Sequence, residues 1–165
     1  MSERRHFLSG LLASAMWPRV SQGSPRGEEA AEEQGLLLGT LAAVADTIVP
    51  RDRDPGALDA GVPDHILRTL AKDADGRALY RDGLALVEAR ARESGGPSFA
   101  ALDGEARERI LASLAGRAGE RGSLAARFYR QVRADVLTQY WASEIGQRAL
   151  GYDPPGGGYP LPRQP

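Results

Sequence analysis

Histidine occurs only twice in the 165 residues, at His6 and His65. A nucleophilic triad needs an imidazole to carry the proton. With the first residues removed as a leader, His65 is the only imidazole left to supply one. It lies early in a short helical stretch beside Asp64, where a half-buried or exposed structural histidine is the simpler reading. Carboxylates are the other candidates for acid/base chemistry. Asp46, Asp52, Asp54 and Asp59 cluster around one loop. Their spacing does not match the alternating ligands and closing glutamate of a calcium loop, so a solvated acidic loop is expected. Asp46 differs, because it sits inside an apolar helical segment. It is expected to bond nearby backbone or an arginine, or to face a partner. Gly156-Gly157-Gly158 is followed by neither a lysine nor a helix and reads as a bend rather than a phosphate cradle. Cysteine is absent, which removes thiolate nucleophiles, zinc–thiolate and iron–sulfur ligation, and disulfides together. No catalytic, cofactor-binding or metal-ligating residue is assigned.

What remains is contact chemistry. Aromatics make up only 6% of the chain, yet Tyr140, Trp141, Tyr152 and Tyr159 fall within 20 residues. Tyrosine and tryptophan supply large, rigid contact areas and are enriched at interface anchors. Tyr140 and Trp141 read equally well as core or as interface. Tyr152 and Tyr159 lie in a segment where an interface is favoured, since prolines of fixed φ reduce the entropy lost on docking.

The elements that must position these residues are helical. Leu37, Leu38, Leu41, Ala42, Ala45, Ile48 and Val49 recur at near-helical spacing and end at Pro50. Pro63 opens a short helix through Ile66, Leu67 and Leu70. Leu79, Tyr80, Leu84 and Val87 line a third, which stops near Ser94-Gly95-Gly96-Pro97. Asp103 caps a fourth with Ile110, Leu111 and Leu114. Ser123 caps a long fifth carrying Phe128, Val132, Val136, Leu137, Tyr140 and Trp141, expected to run to about Ala149. Prolines and glycines after Gly151 forbid helix and central strand. The expected fold is all-α: a single domain of about five helices over residues 35–150, with an extended Pro/Gly-rich C-terminal arm at 151–165.

The N-terminal end reads as an address. A positive start, an apolar middle from Phe7 to Leu12 and Ala13-Ser14-Ala15 make the three parts of a bacterial export signal. Arg4-Arg5 followed by Phe7-Leu8 resembles a twin-arginine signal, assigned to residues 1–15. Residues 16–34, with Pro18, Gly23, Pro25, Gly27 and four glutamates, read as a polar linker. Composition adds exclusions. A net charge of −1 points to neither nucleic acid nor a membrane surface. No apolar run reaches the roughly 18–20 residues that span a bilayer.

Several stretches together resemble the gluconate 2-dehydrogenase subunit 3 family. These are Thr40-Leu41-Ala42-Ala43-Val44-Ala45-Asp46-Thr47-Ile48-Val49-Pro50, then Pro55-Gly56-Ala57 and Gly61-Val62-Pro63. Tyr80, Gly83-Leu84, Phe99 and Leu102 follow, with Gly151-Tyr152-Asp153 and Gly157-Gly158-Tyr159-Pro160 at the close. The order and spacing of these stretches, over about residues 36–161, carry the resemblance. It implies a small subunit of a periplasmic, membrane-associated dehydrogenase. In such complexes a large FAD-dependent subunit oxidises a sugar, sugar acid or polyol, and a cytochrome c subunit, where present, takes the electrons onward. The small subunit holds no flavin, carries the export signal and helps its partner to mature.

The resulting expectation is a non-catalytic accessory subunit, exported to the periplasm, touching the membrane only through its partners. Arg4, Arg5, Phe7 and Leu8 would carry export, and Tyr140, Trp141, Tyr152, Tyr159 and Asp46 would bind the partner. Two other readings make different demands. A stand-alone exported enzyme would use carboxylates between Asp46 and Asp59. A periplasmic small-ligand-binding module would need an enclosed pocket.

Overall fold

A computed structural model describes residues 25–116 and 122–152. Among these residues there are six helices and no strand: α1 (Pro25–Ile48), α2 (Val62–Leu70), α3 (Ala74–Glu93), α4 (Gly104–Leu114), α5 (Leu124–Ala142) and α6 (Glu144–Ala149). The all-α expectation holds. α1 begins at Pro25, ahead of the apolar stripe, so part of the stretch read as linker is helical. Proline suits the first helical turn, and the glutamates at 28, 29, 32 and 33 are good helix formers near the positive end of the helix dipole.

Three helix starts follow from side-chain caps. Asp73, Asp103 and Ser123 accept hydrogen bonds from the backbone N–H of Gly76, Ala106 and Ala126, satisfying donors that the first turn leaves orphaned. The expected long fifth helix instead breaks at Ser143. There the Ser143 hydroxyl donates to Tyr140 O at 2.6 Å and accepts from Gly146 N–H at 3.0 Å. One serine thus ends α5 and starts α6. Gly146 permits the fold-back, since a Cβ there would lie 2.1 Å from Tyr140 O.

α5 is the central strut, touching each of the other five helices. Phe128, Val132 and Val136 on its inner face are fully buried, together with Leu41 and Val44 of α1 and Val87 of α3. The approach of α3 to α5 is close enough to dictate sequence. A Cβ on Gly83 would sit 2.2 Å from the Phe128 ring, and Tyr80 meets the same ring edge-on at 5.6 Å. α3 is stopped just beyond its end by Gly95, whose φ of 86° lets Gly95 and Gly96 donate to Arg92 O and Ala91 O. That double bond is the Schellman stop.

One buried charge stands in this apolar setting. Glu88 is 3% exposed. Its carboxylate accepts the Thr40 hydroxyl at 2.6 Å and the Phe99 N–H at 3.2 Å, joining α1, α3 and the loop before α4. It was not singled out in the sequence; the available signal was its position four residues after Leu84, since helix neighbours lie three and four residues apart.

Candidate partner-binding surface

The acidic loop is a closed structure rather than an open cluster. Ala57 N–H donates to Val49 O at 2.9 Å, drawing residues 50–56 into a bight. Gly56 fits the neck, where a Cβ would lie 2.7 Å from Arg51 N. Within the bight Asp52 accepts from the Asp54 N–H at 3.0 Å. Asp59 accepts from Gly56 N–H at 2.8 Å and from the Arg51 guanidinium, whose Nε stands 2.9 Å away. Those bonds hold the Asp59 carboxyl below the usual carboxylate range, chiefly through Arg51 and then through Gly56. Asp59 is therefore an ionised acceptor and a poor proton donor. Asp46 pairs with Arg107 of α4 at 3.3 Å, both partly buried, so it ties α1 to α4. The Nε of Arg107 is buried with no hydrogen-bond partner among the described residues. His65 is exposed on α2. No cluster of three metal-ligating side chains occurs among the described residues.

The aromatic pair divides in two. Tyr140 is 3% exposed and its hydroxyl donates to Pro55 O at 2.7 Å. It serves its own domain, fastening the acidic loop to the end of α5. Burial, and then the charges of Asp54, Asp52 and Asp59, push its phenol above the ordinary range, so it stays a neutral donor. Trp141 is 43% exposed, with its ring edge against Tyr140 at 4.8 Å. Of the two, Trp141 presents surface. Nearby in sequence Leu150 is exposed and Tyr152 half-buried. Here the chain turns at Gly151 (φ 74°), with Gly151 and Tyr152 donating to Arg148 O and Gln147 O, a second Schellman stop. Tyr159 lies outside the described residues, as do Arg4, Arg5, Phe7 and Leu8.

A second surface was not singled out in the sequence. α1, α2 and α3 enclose an open groove of about 910 Å³. Leu37, Leu38 and Leu41 form one wall, Leu67 and Leu70 another, and Leu84 lies in the third. Leu38 and Leu67 are 41% and 38% exposed. The available signal was Gly35–Ala45, eleven residues without a charge, apolar around the whole helix. A helix of that kind demands cover on every side. No helix among the described residues is long and apolar enough to cross a membrane.

A family model described as gluconate 2-dehydrogenase subunit 3 matches residues 38–157. No curated protein and no solved structure matches the chain.

Proposed function

The chain belongs to the gluconate 2-dehydrogenase subunit 3 family, and on that premise we propose that it is the non-catalytic small subunit of a dehydrogenase complex. It binds a large FAD-dependent subunit acting on sugars, sugar acids or polyols, helps that subunit mature, and carries it out of the cytoplasm. The family match carries the reading, because a family named as a subunit calls for a larger partner. The sequence supports it. Hydride-transfer chemistry belongs to the cofactor, and this chain brings no cysteine and only two histidines. Arg4-Arg5-His6-Phe7-Leu8 supplies an export signal of the kind used by folded proteins. The aliphatic groove and exposed Trp141 supply docking surface.

The flavin sits in the large subunit, and the electrons leave through that subunit or a cytochrome c. The role left to this chain is shape: a rigid helical body, braced by α5, that presents apolar contacts at fixed positions. The complex is periplasmic, and this chain meets the membrane only through its partners.

The test is an affinity purification of the tagged chain from its native host, with an absorbance scan of the eluate and a dye-linked dehydrogenase assay. A yellow partner that oxidises a sugar, sugar acid or polyol supports the reading. A colourless, monodisperse lone chain refutes it.

A further inference from the structure

Six leucines and three alanines line the α1–α2–α3 groove. Leu38 and Leu67, on facing walls, are 41% and 38% exposed. Apolar surface left open in this way marks a docking site, and it suits aliphatic and aromatic side chains. Gly35 lies on the same groove, and a Cβ there would meet nothing within 4 Å. A backbone can therefore come close to α1 at that point.

The chain's own start lies within reach. α1 begins at Pro25. At 1.5 Å per residue, Gly35 and Leu41 stand about 15 and 24 Å further along it. Residues 13–24 separate Pro25 from the apolar run Phe7–Leu12. Twelve extended residues span up to about 40 Å, so the run can double back along α1 to every leucine of that wall. Its composition matches the trough. Phe7, Leu8, Leu11 and Leu12 are large and apolar, and Phe7–Leu12 contains no charge. It therefore asks for no counter-ion from Arg77 or Arg81, the charged members of the lining. In a helical turn the spacing of Phe7, Leu8, Leu11 and Leu12 gathers all four on one side, the form in which peptides fill hydrophobic grooves. Arg4 and Arg5 precede the run and can stay in water, which avoids the cost of burying a guanidinium. The same run is the apolar middle of the export signal, a part the signal needs in order to be read.

We propose that in the lone folded chain the groove seats Phe7–Leu12 and so withholds the export signal, and that docking of the large subunit frees it. The inference rests on the subunit reading and adds a rule of timing, under which export waits for assembly. Leader and partner cannot both cover Leu38 and Leu67, so each lowers the affinity of the other for this body.

The experiment places a photo-crosslinking amino acid at Leu67 of the full-length tagged chain. The chain is produced alone, in a host without a working twin-arginine translocase, so that the leader stays attached. A crosslink within one chain, from position 67 to the first fifteen residues, is expected. A crosslink to the C-terminal arm or to a second copy, or none at all, overturns the proposal whatever the standing of the subunit reading. The same probe is then isolated from the native host with its translocase inactivated. Loss of the internal crosslink beside a co-purified flavoprotein is expected. A co-purified flavoprotein with the crosslink at its full level overturns the release and leaves the subunit reading intact. A flavoprotein that never co-purifies overturns the subunit reading and the release together, while the first arm still judges the seat. A second measurement follows export. Leu67→Glu sets a charge on a half-exposed wall and should melt near the parent temperature; if it melts early, Leu38→Gln on the facing wall takes its place. Made without the large subunit, the variant should reach the periplasm at least tenfold more than the parent. Equal export of the two would sink the proposal.

Discussion

The hydroxyl of Tyr140 donates to the carbonyl oxygen of Pro55 at 2.7 Å, across 85 residues of chain. Through that bond the end of α5 holds the loop that carries Asp52, Asp54 and Asp59. Tyr140→Phe keeps the ring and its packing on Trp141 but leaves the Pro55 carbonyl without this donor. A loss of about 1 kcal/mol is expected, read by urea denaturation. Amide exchange should quicken over residues 51–61 more than in the helices, and uniform exchange would show that the loop does not depend on this bond.

Glu88 bears a heavier load. Glu88→Ala takes the side-chain acceptor from the buried Phe99 N–H, removes one bond of the Thr40 hydroxyl and opens space beside them. A loss of roughly 2–4 kcal/mol is expected. Glu88→Gln keeps an acceptor oxygen and should lose less than Glu88→Ala. Equal losses would indicate that packing, and not the hydrogen bonds, sets the cost.

The helix glycines separate by sign. Gly83→Ala forces a methyl into the Phe128 ring and should destabilise by about 1–3 kcal/mol. Gly39→Ala meets open space and should stabilise by about 0.5–1 kcal/mol through helix propensity. Thermal melts of the two variants beside the parent decide this. A stabilised Gly83→Ala would contradict the close packing of α3 on α5.

Stability should fall at alkaline pH. Tyr80 and Tyr140 both have phenols raised from 10.0, through burial first in each case; Asp135 adds to the shift at Tyr80 and the loop aspartates at Tyr140. In the unfolded chain these phenols ionise near their ordinary value, while the fold still holds them neutral. The contribution is complete below about pH 10 and is lost as pH rises towards the folded values. Denaturation midpoints taken between pH 8 and pH 11 should drop at the upper end, and Tyr80→Phe should flatten the slope. An unchanged slope in that variant would exclude Tyr80 as a source.

Export makes a separate demand. Replacing Arg4-Arg5 with Lys-Lys should leave both this chain and its large partner in the cytoplasm, without altering the melting temperature of the chain. Periplasmic dehydrogenase activity at the parental level would remove the export role from these residues.

Much of the helical body was legible from local chemistry. Asp103 and Ser123 could be named as caps because a capping bond spans only three residues. The stops at Pro50 and Gly95 follow from backbone sterics that act within one turn. The composition of Gly35–Ala45 and the Leu79–Tyr80–Leu84–Val87 stripe likewise belong to the sequence. What tertiary structure alone decided is pairing at long range. Tyr140 could not be sorted from Trp141 by type or spacing, because the difference is a carbonyl 85 residues away. Asp46 became a brace to α4 only when folding brought Arg107 beside it. The break at Ser143 depended on whether a glycine three residues later could lie against Tyr140 O. The groove takes its lining from α1, α2 and α3 together, so no one helix's sequence describes it. Periodicity tells which side chains turn inward, but which surface stays bare is set by how helices of unequal length cross.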